Sequence, residues 1–597
     1  MKDFVKMTLA VVCGLFVFGI VAFILSLSVI SSVAAAGESG PVIPKSGVMV
    51  IDMSEMAIVE QASPDMDILG VIQGTGSIAQ IGLWKAVQAV NAAAADPAVK
   101  YIYLKPDGAS GDIAELQEFR KTLANFRLSG KPVISYIESP STASYYLASV
   151  SDKIYMTSCG GATSMITGIG SQLIFLKDIL DKLGVNVQLI RHGKYKSAGE
   201  MYIKNAPSPE NLEQNQAMID AIWGSFAAEI AEGRDMSVEA VNETIDNLAL
   251  NTPEDFLEAG FVDALLTREE LHSKLADLAV VDSFKKLKSF SLVDYAAAKV
   301  LPNIKAKKKI AVIYADGEII DGKEKQEVAG DHFANVIAKV RADSTVKAVV
   351  FRVNSPGGSV LASEKIKDEI DLLQADKPVI ASYGGYAASG GYWISNGCDK
   401  IFSDATTLTG SIGVFSMIPD LSKVMSDLVH INIVTVGSNK HSDMYSMIRP
   451  LDQAELDYQQ ASVEKIYDDF VTLVAEGRGL EKDFVDSIAQ GRVWAGSDAL
   501  KIGLVDEIGT LEDAINWTAT AAGDSDLTAW NIVEYPKPLT TIEMLMENLG
   551  NMPSEENIFA GTPFQSIAET LLSWNARTRK NPADVMFARI PYAMEIK

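Results

Sequence analysis

Short runs of β-branched and apolar residues alternate along the chain with amphipathic stretches. Two of the apolar runs are KAVVFRV (Lys347–Val353) and KPVIASY (Lys377–Tyr383), which have the length and composition of buried strands. The segment between them, Ala362–Leu373, has its large apolar residues on one side of a helix. Such alternation of strands and helices predicts α/β domains with a largely parallel sheet.

The pattern occurs twice. The offset between matching segments drifts only from 247 to 243 residues, which indicates two copies of one domain. We assign a first repeat to 46–300, a second to 305–536 and a C-terminal tail to 537–597. The matches are DPAVKYIYL (from Asp96) with DSTVKAVVF (from Asp343), KPVISY (Lys131) with KPVIASY (Lys377), YYLASVSDKIY (Tyr145) with YWISNGCDKIF (Tyr392), and GFVDAL (Gly260) with GLVDEI (Gly503).

The N-terminal region has a different pattern, because no charged residue occurs from Met7 to Ala36. This length predicts a transmembrane anchor at 7–36, after a short cytoplasmic N-terminus at 1–6 that carries two lysines. The alternative is a cleaved signal peptide ending near Ala36, but the apolar regions of signal peptides are only about 7–15 residues long. With this orientation, everything after the anchor lies outside the cytoplasm.

Composition narrows the possible functions. A chain of 597 residues is too long for one core, and a net charge of −25 argues against nucleic acid as a partner. The three cysteines, Cys13, Cys159 and Cys398, have neither the spacing of a zinc site nor the number needed for a disulfide framework. We expect Cys159 and Cys398 to be two separate buried thiols, and the alternative is one disulfide between them.

Three glycine-rich segments distinguish the second repeat from the first. They are NSPGGS (Asn354–Ser359), YGGYAASGGYW (Tyr383–Trp393) and TLTGSIG (Thr407–Gly413), and the first two follow predicted strands. Glycines at such turns can direct backbone N–H groups at a developing oxyanion. Ser389 lies among small residues, where a carbonyl substrate could reach its hydroxyl. Each segment alone would also fit an ordinary tight turn.

These motifs, followed by GRVWAGSDALKIGLVD (Gly491–Asp506), resemble the signal peptide peptidase A family of the long, protease IV type. This is peptidase family S49, within the Clp/crotonase superfamily. The resemblance implies tandem ClpP/crotonase-like α/β domains with an N-terminal transmembrane helix. It also implies a serine endopeptidase in which Ser389 is the nucleophile. The oxyanion hole would comprise the amide of Gly390 together with that of Gly357 or Gly358.

The general base is the next question, because a serine nucleophile needs an adjacent proton acceptor. None of the five histidines lies in a motif of the Ser-His-Asp type. The segment GKYKSAGE (Gly193–Glu200) resembles the lysine motif of the family, which implies Lys196 as the base. Lys440, three residues after Gly437, is the competing candidate. By the same resemblance, the Ser411 hydroxyl would orient the lysine and stabilise its neutral form.

The repeats differ at the corresponding positions. Aligning Tyr146 with Tyr392 sets Ala143 opposite Ser389, and KPDGAS (Lys105–Ser110) lacks the glycine pair of SPGG. We therefore expect one composite site per chain, with the serine from the second repeat and the lysine from the first.

The resemblance further implies remnant signal peptides and other apolar peptides as substrates, with no cofactor and no metal. It implies homotetramers in the bacterial inner membrane, with the catalytic domains on the periplasmic side. Two alternatives stay open. One is a crotonase-like acyl-CoA enzyme, and the other is a non-catalytic membrane scaffold, which would require Lys196 and Ser389 to lie far apart.

Overall fold

The computed structural model describes residues 41–62, 78–325 and 327–539, together with the backbone of 586–589. The predicted anchor at 7–36 and most of the predicted tail lie outside the described residues. Within the described ranges, no helix has the length and apolar character that a bilayer crossing requires.

The first repeat is built on a parallel six-stranded sheet in the order β8-β6-β5-β4-β1-β9. The strands of the first repeat, six of which form this sheet, are β1 (Gly47–Asp52), β2 (Met56–Val59), β3 (Ala79–Gly82), β4 (Val99–Lys105), β5 (Val133–Ile137), β6 (Lys153–Thr157), β7 (Asn186–Arg191), β8 (Ala264–Leu266) and β9 (Ser289–Ser291). Its helices are α1 (Leu83–Ala95), α2 (Ile113–Arg127), α3 (Thr142–Ala148), α4 (Lys177–Leu183), α5 (Glu200–Ile203), α6 (Pro209–Arg234), α7 (Val238–Asp246), α8 (Pro253–Glu258), α9 (Arg268–Leu278) and α10 (Leu292–Lys299).

The second repeat has a sheet of eight strands whose central pairings are parallel. The strands of the second repeat, eight of which form this sheet, are β10 (Lys308–Asp316), β11 (Ile319–Ile320), β12 (Val328–Ala329), β13 (Val346–Ser355), β14 (Gly357–Ser359), β15 (Val379–Ala388), β16 (Lys400–Ser403), β17 (Leu408–Gly410), β18 (Phe415–Asp420), β19 (Val493–Ala495), β20 (Glu507–Ile508) and β21 (Trp530–Tyr535). Its helices are α11 (Gly330–Ala342), α12 (Val360–Asp376), α13 (Gly390–Trp393), α14 (Gln453–Arg478), α15 (Lys482–Ile488), α16 (Gly496–Lys501) and α17 (Leu511–Ala521). The strands predicted in KAVVFRV and KPVIASY and the helix between them are β13, β15 and α12.

A third sheet joins the two repeats. Its order is β12-β11-β14-β22-β18-β7, where β22 is Met586–Arg589. All of its strands belong to the second half of the chain except β7, which pairs antiparallel with β18 along its whole length. This pairing carries the end of β7, and therefore the segment that follows it, into the second repeat.

The repeats also share one hydrophobic core, in which Leu116 and Phe119 of α2 belong to the same buried cluster as Val350 and Ile380 of the second sheet. A buried ion cluster lies between the repeats. Arg352 on β13 is fully buried, and its guanidinium is 2.7 Å from both Glu60 and Glu118 of the first repeat. Because both carboxylates are also buried, the guanidinium compensates their charge inside the protein.

Hydrogen bonds fix the register between the repeats and correct the sequence alignment. The Tyr145 hydroxyl donates to the carbonyl of Phe261 (2.7 Å), and the Tyr392 hydroxyl donates to that of Leu504 (2.8 Å). Phe261 and Leu504 hold the same position in GFVDAL and GLVDEI, so Tyr145 corresponds to Tyr392. Counting back from this pair without a gap sets Thr142, and not Ala143, opposite Ser389.

The same register corrects the comparison of the glycine loops. Asp112 caps the N-terminus of α2 and Ser359 caps that of α12, so the two caps correspond. Counting back from them, Gly111 lies opposite Gly358, and Ser110 lies opposite Gly357. The first repeat has thus lost one glycine of the pair and retains the other.

Candidate active site

Ser389 lies at the turn between β15 and the short helix α13. Its backbone is in the left-handed region, with φ of 56°, and its N–H donates to the carbonyl of Gly410 at 2.8 Å. A positive φ is unfavourable for a non-glycine residue and persists only where the surroundings hold it. Here β17, of which Gly410 is the last residue, holds the turn so that the Ser389 hydroxyl faces the segment after β7.

That segment brings Lys196 to the serine. The Lys196 Nζ atom is 2.8 Å from Ser389 Oγ, and it also lies 3.0 Å from Ser411 Oγ and 3.2 Å from Ser411 O. The lysine is only 2% exposed. Burial disfavours the charged ammonium and lowers the pKa of Lys196 well below its usual value.

These three contacts match the bonding capacity of a neutral amine. Its two N–H groups can donate to the carbonyl and the hydroxyl oxygen of Ser411, while its lone pair accepts the Ser389 proton. The Ser411 hydroxyl lies 3.5 Å from the carbonyl of Gly491, to which it can donate in turn. The arrangement is therefore that of a base ready to deprotonate a serine.

Two glycines that the sequence analysis did not assign to the site make room for the lysine. A Cβ atom on Gly491 would lie 2.6 Å from Lys196 Cβ, and one on Gly413 would lie 3.3 Å from Lys196 Cδ. Gly491 also has a φ of 77°, which favours glycine. Both residues belong to quoted motifs, since Gly413 ends TLTGSIG and Gly491 begins GRVWAGSD. Nothing in those motifs indicates that the two glycines flank the lysine.

Polar contacts hold the lysine loop in place. The guanidinium of Arg191 donates to the carbonyl of Lys196 at 2.6 Å, and it pairs with the buried carboxylate of Glu200. The side-chain amide of Gln214 donates to the carbonyl of Tyr195 and to the hydroxyl of Ser197. The loop is therefore fixed on both sides of the lysine.

The candidate oxyanion residues lie together beside the serine. A Cβ atom on Gly390 would lie 3.1 Å from the backbone nitrogen of Gly358 and 3.2 Å from the Cα atom of Gly357. The N–H of Gly357 donates to the hydroxyl of Ser355 at 3.2 Å. At Gly358, a Cβ atom would come within 1.8 Å of the carbonyl oxygen of Ile319, so no larger residue fits that backbone.

An extended segment of the chain lies between β14 and β18. The backbone of β22 pairs antiparallel with both strands, with Ala588 opposite Gly358 and Phe587 opposite Phe415. Strands in a sheet are about 4.8 Å apart, so the space between β14 and β18 is as wide as one strand. This groove borders the dyad, because the Phe415 ring centroid is 5.9 Å from Lys196 Nζ.

The competing residues lie elsewhere. Lys440 is exposed, and its Nζ is 3.9 Å from Asp452 on the rim of a surface cavity of about 530 Å³. His192 and His441 form contacts with Glu464 and Glu455 instead of the serine. The scaffold alternative required Lys196 and Ser389 to lie far apart, and their 2.8 Å contact does not meet that condition.

The cysteine prediction is confirmed in one part and wrong in another. Cys159 and Cys398 are free thiols, but only Cys398 is buried and Cys159 is exposed. Among the described residues, one group has the side chains of a metal site, namely His441, Asp452 and Glu455. The guanidinium of Arg449 already pairs with both oxygens of Glu455 at 2.7 Å, so this group is a poor fit for a cation.

Comparison with known families agrees with this geometry. The model of peptidase family S49 matches residues 125–282 and 371–524, one stretch in each repeat, and the model of the Clp protease family matches residues 304–405. The chain belongs to peptidase family S49. It is accordingly a serine protease with two S49 repeats of ClpP-like α/β fold.

Relatives of this S49 peptidase match over most of their length. The chain is 34% identical over 509 residues to Protease 4 of Haemophilus influenzae, covering 83% of this chain and 82% of the relative. It is also 34% identical to Protease 4 of Salmonella typhi, over 82% of this chain and 80% of the relative. A chloroplastic serine protease SPPA of Arabidopsis thaliana is 31% identical, over 77% of this chain and 68% of that protein.

Proposed function

We propose that this S49 peptidase is a membrane-anchored endopeptidase with a Ser389–Lys196 dyad that degrades cleaved remnant signal peptides. The observation that carries the proposal is the 2.8 Å contact between a buried lysine amine and a serine hydroxyl at a strained turn. Burial keeps the amine neutral at a lower pH than usual, which is what a lysine base requires.

In this mechanism the Ser389 oxygen attacks the scissile carbonyl carbon while its proton passes to Lys196. The negative charge that develops on the carbonyl oxygen is stabilised by the N–H groups of Gly390 and Gly358. We favour Gly358 over Gly357 because the N–H of Gly357 already donates to Ser355. The lysine then protonates the leaving amine, and it later activates the water that hydrolyses the acyl-enzyme.

The position of β22 supports an extended peptide as substrate. A peptide in the same groove would form backbone hydrogen bonds with β14 on one side and β18 on the other, as a strand added to a sheet. Because β14 contains Gly358, such a peptide would pass directly beside the proposed oxyanion donors. Backbone recognition of this kind tolerates varied side chains, which suits degradation of many signal peptides.

The location and assembly are part of the proposal. The uncharged segment 7–36 supports a single-pass anchor in the bacterial inner membrane, with the repeats on the periplasmic side. The family resemblance supports a homotetramer. An apolar signal peptide released into the bilayer would then reach the groove without crossing much water.

The test is a peptidase assay of the full chain in detergent on a synthetic signal peptide. We expect Ser389→Ala and Lys196→Ala each to lower kcat by about 10³-fold or more, since the members of a catalytic unit fail together. Lys194→Ala and Lys440→Ala serve as matched lysine controls and should retain activity within about twofold, as surface changes do.

Two outcomes would contradict the proposal. Full activity of Ser389→Ala would exclude the mechanism, and full activity of Lys196→Ala would exclude the base. A polar peptide of the same length, assayed in parallel, should be cleaved more slowly if remnant signal peptides are the substrates. Equal rates on the two peptides would remove that substrate assignment and leave the dyad in place.

A further inference from the structure

The segment that joins the two repeats is basic, although the chain as a whole is acidic. Residues 284–309 (the basic connector) contain eight lysines and one acidic residue, Asp294, whereas the whole chain has a net charge of −25. A cluster of one sign on a surface of the other sign attracts partners that the rest of the surface repels. The basic connector is therefore a candidate binding surface for an anionic partner.

Most of these lysines are free to meet such a partner. Five of them are exposed and form no ion pair with any residue that the structure describes. They are Lys285, Lys288, Lys305, Lys307 and Lys308. The other three pair with aspartates, namely Lys286 with Asp282, Lys299 with Asp96 and Lys309 with Asp343. The unpaired ammonium groups keep their attraction for an external anion.

Large apolar side chains are exposed among the lysines. Leu301 is 71% exposed and Ile304 is 83% exposed, and both lie between the lysines of α10 and those that lead into β10. A soluble anion offers these side chains no apolar contact. The interface of a bilayer offers both kinds of contact, because lysines meet headgroup phosphates there while apolar side chains enter the acyl boundary.

The basic connector also lies where the chain arrives from the proposed anchor. β1 begins at Gly47, and the N–H of Val48 donates to the carbonyl of Lys288 at 2.9 Å. Residues 37–46 separate β1 from the anchor at 7–36, and a chain of that length spans at most about 35 Å. Lys288 is therefore held within about that distance of the bilayer, and the exposed Lys45 precedes β1 at the same place.

The other lysines of the basic connector lie at the same edge of the first sheet. α10 ends at Lys299, whose Nζ is 3.5 Å from Asp96. Asp96 directly precedes β4, and Val99 at the start of β4 pairs with Gly47 at the start of β1. Residues 299–309 therefore begin at the edge where Lys288 lies, and the lysines on both sides of α10 form one surface.

We propose that the basic connector, together with Lys45, docks on the anionic phospholipid headgroups of the membrane that holds the anchor. The ammonium groups pair with headgroup phosphates, and Leu301 and Ile304 enter the acyl boundary. This inference rests on the anchor of the proposed function. A single-pass anchor limits the distance between the repeats and the bilayer, and the docked connector fixes their orientation. The acidic remainder of the surface is repelled by the same lipids, which favours that one orientation.

The test uses the full chain reconstituted in nanodiscs of phosphatidylcholine alone or of an equal mixture of phosphatidylcholine and phosphatidylglycerol. Lysines are acetylated, and the rate at each one is measured by mass spectrometry. We expect Lys305 and Lys307 to react about tenfold more slowly in the anionic nanodiscs, because headgroup phosphates shield their amines. High salt should reduce this difference. Lys465 and Lys501 of the second repeat, whose side chains are 78% and 71% exposed, are the controls and should react equally in both nanodiscs.

A charge-reversal variant tests whether the lysines act as one surface. Lys305→Glu and Lys307→Glu are introduced together, and the matched control combines Lys465→Glu with Lys501→Glu, which changes the net charge equally. In the anionic nanodiscs, Lys288 should lose its protection in the first double variant and keep it in the second.

The outcomes separate this surface from the anchor. Equal acetylation of Lys305 and Lys307 in the two nanodiscs would overturn the docking surface and leave the anchor in place. Protection of Lys288 that survives Lys305→Glu with Lys307→Glu would overturn it as well. Recovery of the chain with the anionic nanodiscs only would contradict the anchor and support the docking surface, and recovery with neither would overturn both.

Discussion

The two repeats share a fold but give equivalent residues opposite environments. Lys196 lies three residues after Gly193, and Lys440 lies three residues after Gly437 at the matching position. Lys196 is 2% exposed, and burial lowers its pKa, whereas Lys440 has a side chain that is 74% exposed beside an aspartate. The difference comes from β7, which crosses into the second repeat and takes the lysine with it. In this fold a lysine therefore becomes a base only when the strand that precedes it pairs with β18. The sequence motif around the lysine is not sufficient.

The largest expected effect is on stability, and it comes from another pair of equivalent residues. Lys105 ends β4, and Arg352 holds the matching position on β13. Arg352→Ala leaves Glu60 and Glu118 buried without their cation and should cost about 3–5 kcal/mol of stability. Lys105 forms a partly exposed pair with Asp52, so Lys105→Ala should cost about 0–1 kcal/mol. Chemical denaturation of the two variants measures the difference. Equal losses would mean that Arg352 does not join the repeats.

Part of this molecule can be predicted from its sequence. The repeat, the strands β13 and β15 and the motif residues Ser389 and Lys196 follow from local patterns and family resemblance. The positions of Gly413 and Gly491 against the lysine do not, because they depend on contacts between segments far apart in the chain. The pairing of β7 with a strand of the other repeat cannot be predicted either, since each strand has the same sequence pattern whichever neighbour it pairs with.

The repeat register shows the same limit at finer scale. In the match of YYLASVSDKIY with YWISNGCDKIF, either Tyr145 or Tyr146 can be aligned with Tyr392, because similar letters fit both ways. Only the hydrogen bonds of Tyr145 and Tyr392 decide it. The prediction that Cys159 is buried is wrong because the residue lies in the exposed loop after β6.

The next largest effect concerns Ser411. The Ser411 hydroxyl can donate its proton to the carbonyl of Gly491, so its oxygen is available to accept a hydrogen bond from Nζ of Lys196. Removing an acceptor disfavours the ammonium more than the amine. Ser411→Ala should therefore lower the pKa of Lys196 further, and loss of orientation should lower kcat about 10–100-fold.

The pH dependence tests the sign of this effect. Lys196 acts as a base only when neutral, so kcat/KM should rise with pH through its lowered pKa and then level off. In Ser411→Ala this rise should move to lower pH. A move to higher pH would mean that the hydroxyl stabilises the neutral amine, as the family resemblance implied. Ser416→Ala, which changes a buried serine on β18 that the dyad does not contact, is the control and should leave the profile in place.

The smallest expected effect is none. Thr142 lies opposite Ser389 when the repeats are counted from Tyr145 and Tyr392, and its hydroxyl donates to the carbonyl of Gly168. Thr142→Ser in the Ser389→Ala background would place a serine at this position. The oxyanion loop would still be incomplete, because Ser110 stands where the second repeat has a left-handed glycine. Loss of one oxyanion donor alone lowers kcat by about 10²–10³-fold. The double variant should match Ser389→Ala in a peptidase assay and in labelling by a serine-reactive phosphonate. Activity or labelling at residue 142 would show that the first repeat keeps a site of its own, and the contrast between the repeats would then be one of degree.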